Sequence, residues 1–144
     1  MATSNDFTEA ELATMQKGMT GSGMLVSVSD RDFSDSFGEA NAMAKYLAEQ
    51  HAAASSELMR AIAKTKGTGF GVTASPDKVR GETMEALRSS VATLGAKAPE
   101  EVDPYRQLVL GLAEAVAVAK GGVTPVEQAV IAEIREALGA GSSA

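Results

Sequence analysis

Cysteine is absent from this 144-residue chain. Its absence excludes disulfides, zinc–thiolate centres, iron–sulfur clusters and thiol catalysis, and it fits a reducing compartment. Tryptophan is also absent, and the aromatics amount to four Phe and two Tyr. Core volume must therefore come from alanine, aliphatic residues and seven methionines, with Met filling irregular gaps. A single histidine, His51, cannot build a standard zinc site without a second His or a Cys. Lysine and arginine total 13 against 19 acids, for a net charge of −6, and they form no cluster. A surface that tracks phosphates needs a basic stripe, so nucleic-acid binding is not expected. No uncharged apolar run reaches the length of a bilayer span, so membrane insertion is not expected either. Residues 1–6 are polar and not basic, unlike a signal peptide, and the reading is of a cytoplasmic protein.

Helix signals dominate what remains. Hydrophobic residues make up 44% and charged residues 22%, ordinary values for one globular domain of this length. Alternation of β-branched or aromatic residues with polar ones is rare, so strands are not expected. Thr8–Glu11, Ser36–Glu39 and Thr124–Glu127 each read as a capping box, in which the hydroxyl accepts from the backbone N–H three residues on and the Glu reaches back. The first opens a helix near residue 9 with Leu12, Met15 and Met19 on its apolar stripe; Phe7 stands where a hydrophobic staple would. Gly21-Ser22-Gly23 weakens that helix, each interior glycine costing about 1 kcal/mol against alanine. From Ser36 a pattern of Phe37, Ala40, Ala44, Leu47, His51, Ala54, Leu58 and Ile62 extends to about Thr65, with Ser55-Ser56 as a point of division. Gly67–Gly71 lacks both a preceding strand and a phosphate-loop pattern, and reads as a connection. Ser75-Pro76 starts a helix carrying Val79, Thr83, Leu87, Val91 and Leu94 to about Lys97.

Residues 108–119 contain one polar residue, Glu114. A helix apolar on nearly every face is expected at the centre of a domain. The spacing thus predicts an all-α bundle of five to six helices around a central apolar helix at about 104–120. The domain should span 8–139, between a flexible 1–7 and a disordered 140–144. Val126, Val130, Ile134 and Leu138 face inward on the last helix, and Gly139 stops it.

The second and third capping boxes lie 88 residues apart, and at that offset Gly23, Val28, Glu39 and Ala44 fall on Gly111, Val116, Glu127 and Ala132. A duplicated helix–loop–helix unit accounts for the coincidence. It also predicts that residues 24–28, which taken alone read equally well as a strand, are helical like 112–116.

Two groups of residues carry chemistry. Asp30, Asp32, Asp35 and Glu39 place carboxylates in one loop and at the following helix start, a donor set for a hard cation, calcium before magnesium. The spacing departs from an EF-hand, with Asp35 where a glycine would stand and Asn41 at the twelfth position. Aspartates also suit turns and helix starts, so a solvated capping turn is the competing reading. Glu114 is either a buried carboxylate paired with Lys120, Arg106 or Arg80, or a residue at the edge of the buried face. No serine stands in a nucleophile elbow, and no catalytic residue is identified.

Ala113–Leu138, with small residues and a glycine turn before Thr-Pro-Val-Glu and then Val130, Ile131, Ile134 and Leu138, resembles the TerB-like tellurite-resistance domains. The resemblance implies an all-helical fold of duplicated units whose acidic loops are associated with metal binding and stress-response assemblies. Glu39 and Glu127 match that family's pattern by position. Lys120 and Gly121 replace its acidic loop residue in the second unit, while the first unit has the acids and lacks the glycine. Together these readings describe a non-enzymatic cytoplasmic binding or scaffolding module, stress-related and cation-binding, with a protein partner. The alternatives are a small enzyme or ligand-binding bundle using a buried Glu114, and a structural homo-oligomer.

Overall fold

A computed structural model describes residues 6–29, 45–50, 57–63, 76–119 and 125–139. The described residues are helical almost throughout and include no strand. In chain order they form α1 (Glu9–Ser29), the helical segment α2 (45–50), α3 (Glu57–Ala63), α4 (Pro76–Lys97), a 3-10 turn (Pro99–Glu101), α5 (Val102–Ala119) and α6 (Pro125–Ala137). The all-α bundle expected from the sequence is the architecture found.

The first helix begins as its capping box requires. The Glu11 backbone N–H donates to Thr8 Oγ1 at 3.1 Å, and the Thr8 N–H donates to Glu11 Oε1 at 2.8 Å. Phe7 is buried ahead of the cap, and Leu12 packs against the same core, the arrangement of a hydrophobic staple. Lys97, at the end of α4, sits 5.5 Å above the Phe7 ring and donates to Glu11 Oε1 at 2.7 Å. This hydrogen bond to the ammonium holds the Glu11 carboxyl below its usual range. Residues 24–28 are helical, as part of α1.

The all-round buried helix is not the one with the most apolar sequence. Residues 18–23 of α1, Gly-Met-Thr-Gly-Ser-Gly, are buried at every position and hence on every side. On α5, by contrast, Tyr105, Val109, Leu112, Ala113, Val116 and Ala117 are buried while Asp103, Gln107, Glu114 and Val118 are exposed. The expectation that the helix at 104–120 is enclosed on nearly every face is not what α5 shows: it meets every other long helix but buries one face, and the stretch buried on all sides lies in α1. Small side chains let neighbours close in from all directions. The hydroxyls do not resist burial, because Thr20 Oγ1 donates to the Gln16 carbonyl at 2.9 Å and Ser22 Oγ to the Gly18 carbonyl at 2.7 Å.

The α1–α4 pairing is the most extensive in the bundle, and α1 also touches α3, α5 and α6. Tyr105, fully buried on α5, donates from its hydroxyl to the Met15 carbonyl at 2.7 Å. Its hydroxyl occupies the space that the missing Gly18 side chain leaves open: a Cβ there would lie 2.8 Å from Tyr105 Oη and 3.0 Å from Leu87 Cδ2. Gln16 Nε2 donates to the Ala61 carbonyl at 3.1 Å and ties α3 to α1. Lys17 pairs with Glu82 at 2.7 Å between α1 and α4, and Arg80 pairs with Glu133 between α4 and α6.

Both ends of α4 fall where the sequence places them, at Pro76 and Lys97. Helix α5 starts at Val102, two residues earlier than the expected start at about 104, because the 3-10 turn runs directly into it. Asp103 instead accepts from Arg106 Nη1 at 2.9 Å. Helix α6 ends as expected at Gly139, whose φ of 75° only glycine adopts without strain. Arg106 Nε donates to the Leu138 carbonyl at 2.7 Å, satisfying an acceptor that the helix end leaves open.

A candidate binding groove between residues 45–50 and helix α5

Asp30, Asp32, Asp35 and Glu39, the cation-site residues, lie outside the described residues, as do His51, Lys120 and Gly67–Gly71. Among the described residues, no group of three or more His, Asp or Glu side chains is placed to hold a metal ion. Glu127, which the TerB-like pattern pairs with Glu39, is fully buried in the first turn of α6.

Glu114 is exposed, not buried. Of the cations expected beside it, Arg106 is engaged with Asp103 and the Leu138 carbonyl, and Arg80 with Glu133. Of the two readings of Glu114, the residue at the edge of the buried face is the one found, and the buried, paired carboxylate is not. The reason is angular: the buried positions 105, 109, 112, 113, 116 and 117 follow one face of α5, and 114 falls off it with 107, 111 and 118.

Glu114 instead lines a groove of about 430 Å³ between residues 45–50 and α5, together with Lys45, Tyr46, Glu49, Gly111, Ala115 and Val118. Residues 111, 114, 115 and 118 are spaced as one helix face. The floor depends on Gly111. Tyr46 lays its hydroxyl over that glycine and donates to the Leu108 carbonyl at 3.2 Å. A Cβ at position 111 would lie 2.1 Å from Tyr46 Oη and 2.9 Å from Tyr46 Cζ, an impossible approach. Val118, at the rim, is 64% exposed and is the one exposed large hydrophobic side chain among the described residues. Two further grooves, one between α1 and α4 and one between α4 and α6, are polar and spanned by the Lys17–Glu82 and Arg80–Glu133 pairs.

The electrostatics of the groove act on Tyr46. Burial, with the negative charge of Glu114 adding to it, pushes the phenol from 10.0 up to about 12. Ionisation is then easier in the unfolded chain than in the folded one. The contribution of Tyr46 to stability is complete below pH 10 and is lost as pH rises through the window up to about 12. Gly111→Ala should evict the phenol into water and return its titration toward the ordinary value. Absorbance at the phenolate band, followed against pH, reads this out. An unshifted titration would place the hydroxyl elsewhere.

Sequence reasoning singled out neither Tyr46 nor Val118. Tyr46 was detectable only as an aromatic in an alanine-rich stretch, and Val118 is indistinguishable in sequence from its buried neighbour Val116. In comparisons with known proteins, the chain matches no family model, no curated protein and no solved structure. Among the described residues, no helix is long and apolar enough to cross a membrane.

Proposed function

We propose that the chain is a non-enzymatic cytoplasmic binding or scaffolding module that engages a protein through the groove between residues 45–50 and α5. The observation that carries this reading is the exposure of Val118, the one exposed large hydrophobic side chain among the described residues, beside Ala115, Gly111 and Tyr46. An aliphatic side chain set in a groove with charged residues at its edge has the apolar-centre, polar-rim layout of protein contact sites. The groove is open, and the one carboxylate the sequence suggested for catalysis stands in solvent, so the geometry serves contact better than acid–base chemistry. The resemblance of 113–138 to the TerB-like domains supports the same class of module, with a stress-linked scaffolding role.

A photo-crosslinking residue in place of Val118 tests the reading in cells. A discrete, saturable protein adduct is expected from position 118 and not from Ala96, which is exposed on α4 outside the groove. Equal labelling from both positions would remove the groove from consideration.

Divalent-cation binding by Asp30, Asp32, Asp35 and Glu39 belongs to the same proposal and has a separate test. Their mutual repulsion in one loop would be relieved by calcium, which should raise the melting temperature by mass action. The Asp32→Asn/Asp35→Asn double variant should fold and lose that response. A melting curve that millimolar calcium leaves in place would reduce the cluster to a solvated turn.

A further inference from the structure

We infer that Lys97 pins a latch at the start of α1, and that Phe7 and the first turn of α1 leave the bundle as one unit when that ammonium is lost. The latch shares no residue with the groove and stands whatever occupies it.

A helix start is a weak point, because its first four N–H groups have no carbonyl one turn back. In α1 that deficit is met within residues 7–12. The Thr8 N–H donates to Glu11 Oε1 at 2.8 Å, the Glu11 N–H to Thr8 Oγ1 at 3.1 Å, and the Leu12 N–H to the Thr8 carbonyl at 3.0 Å. Lys97 then ties this turn to the end of α4. Its ammonium donates to Glu11 Oε1 at 2.7 Å and stands 5.5 Å from the centre of the Phe7 ring.

Two shared atoms make these contacts interdependent. One carboxylate oxygen, Glu11 Oε1, accepts from both Thr8 and Lys97, so a single carboxylate position serves the helix cap and the cross-link alike. One ammonium, that of Lys97, meets both this oxygen and the ring ahead of the cap. Movement of Phe7, Thr8 or Glu11 therefore costs the others a partner. The pin is the last residue of α4, and its side chain is 42% exposed, so solvent reaches it without prior unfolding. The other α1–α4 ion pair is placed differently. Lys17 and Glu82 meet at the same 2.7 Å, but within the bodies of the two helices and away from the cap. Opening the latch turns out Phe7, which is buried when it is closed, and leaves Met15 and Met19 in the core further along α1. It thereby presents an aromatic ring, a residue type that protein interfaces favour.

Amide hydrogen exchange of the full chain, read residue by residue by NMR at neutral pH, tests the latch. In the wild type the Thr8, Glu11 and Leu12 amides should share one opening constant, larger than that of buried positions such as Leu87 and Leu94. Lys97→Gln removes the charge and should raise exchange at all three by about three- to thirtyfold, the combined worth of one partly exposed ion pair and one cation–π contact. Lys97→Arg keeps the charge and the capacity to stack on the ring, and should stay close to wild type. Lys17→Gln removes the other pair and should leave the three amides as they were. Chymotrypsin should cut the Phe7–Thr8 bond, identified by the mass of the product, faster in Lys97→Gln than in wild type by a similar factor. Three amides that open at unrelated rates would overturn the single unit. A rise in Lys97→Gln no larger than that at Leu87 and Leu94, or an equal rise in Lys17→Gln, would reduce Lys97 to an ordinary contributor to stability. Faster exchange with an unchanged Phe7–Thr8 cut would mean that the turn frays while the ring stays in place, and would also overturn the latch.

Discussion

Gly18→Ala should destabilise the bundle by about 1–3 kcal/mol, the usual cost of forcing atoms into a filled site. In an isolated helix the same change would be favourable by about 1 kcal/mol. The sign reverses because the added Cβ would lie 2.8 Å from Tyr105 Oη and 3.0 Å from Leu87 Cδ2, both fully buried. Neither can retreat cheaply. The Tyr105 hydroxyl is held by the Met15 carbonyl at 2.7 Å, and Leu87, on α4, is fully buried in the core. Urea unfolding midpoints measure the effect. Tyr105→Phe alone should cost about 0.5–1.5 kcal/mol for the lost hydrogen bond. In that background Gly18→Ala should cost distinctly less, since the closest obstructing atom is gone, and the two changes should therefore be non-additive. Strictly additive values, or a stabilised Gly18→Ala protein, would mean that α1 and α5 do not meet at this point.

A still larger effect is expected from Leu112→Ala, about 2–5 kcal/mol. Leu112 is fully buried in the common core with Val109, Val116 and Ile134. Truncation removes the transfer free energy of the lost methyl and methylene groups and leaves a void that the surrounding helices fill only in part. Six residues on, Val118→Ala should change stability by no more than about 0.5 kcal/mol, the range of exposed positions. Thermal or urea denaturation of the two variants side by side checks both values. The contrast is informative because Leu112 and Val118 belong to one apolar run and hydropathy does not separate them. Comparable losses from both would mean that α5 is enclosed on all sides, as its composition alone suggests.

Local chemistry was the legible part of this chain. The Thr8–Glu11 box, the starts and stops of α4 at Pro76 and Lys97, and the left-handed glycine ending α6 each depend on groups within a few residues of one another, and short-range sequence specifies such groups directly. The helical state of residues 24–28 was legible too, through comparison with residues 112–116.

The candidate site was barely legible. Glu114 was noticed for the right reason, as the one carboxylate in an apolar run, but the sequence left it open between a buried, paired carboxylate and a residue at the edge of the buried face. Its exposure follows from which face of α5 meets α1, and a helix apolar on most sides does not announce that face. The same ambiguity hid Val118, and Tyr46 gains its significance only from Gly111, 65 positions away along the chain.

Composition and short-range pattern thus settled that the chain is helical and where most of its helices begin and end, because caps, prolines and glycines act on their immediate neighbours. Packing settled which stretch is enclosed on every side. Hydropathy ranks residues by their aversion to water and so pointed to α5. Enclosure on all sides depends instead on how closely neighbours can approach, and that favours the glycines and self-satisfied hydroxyls of α1. Helix α5 buries one face against its neighbours, and the groove lies on the face left over.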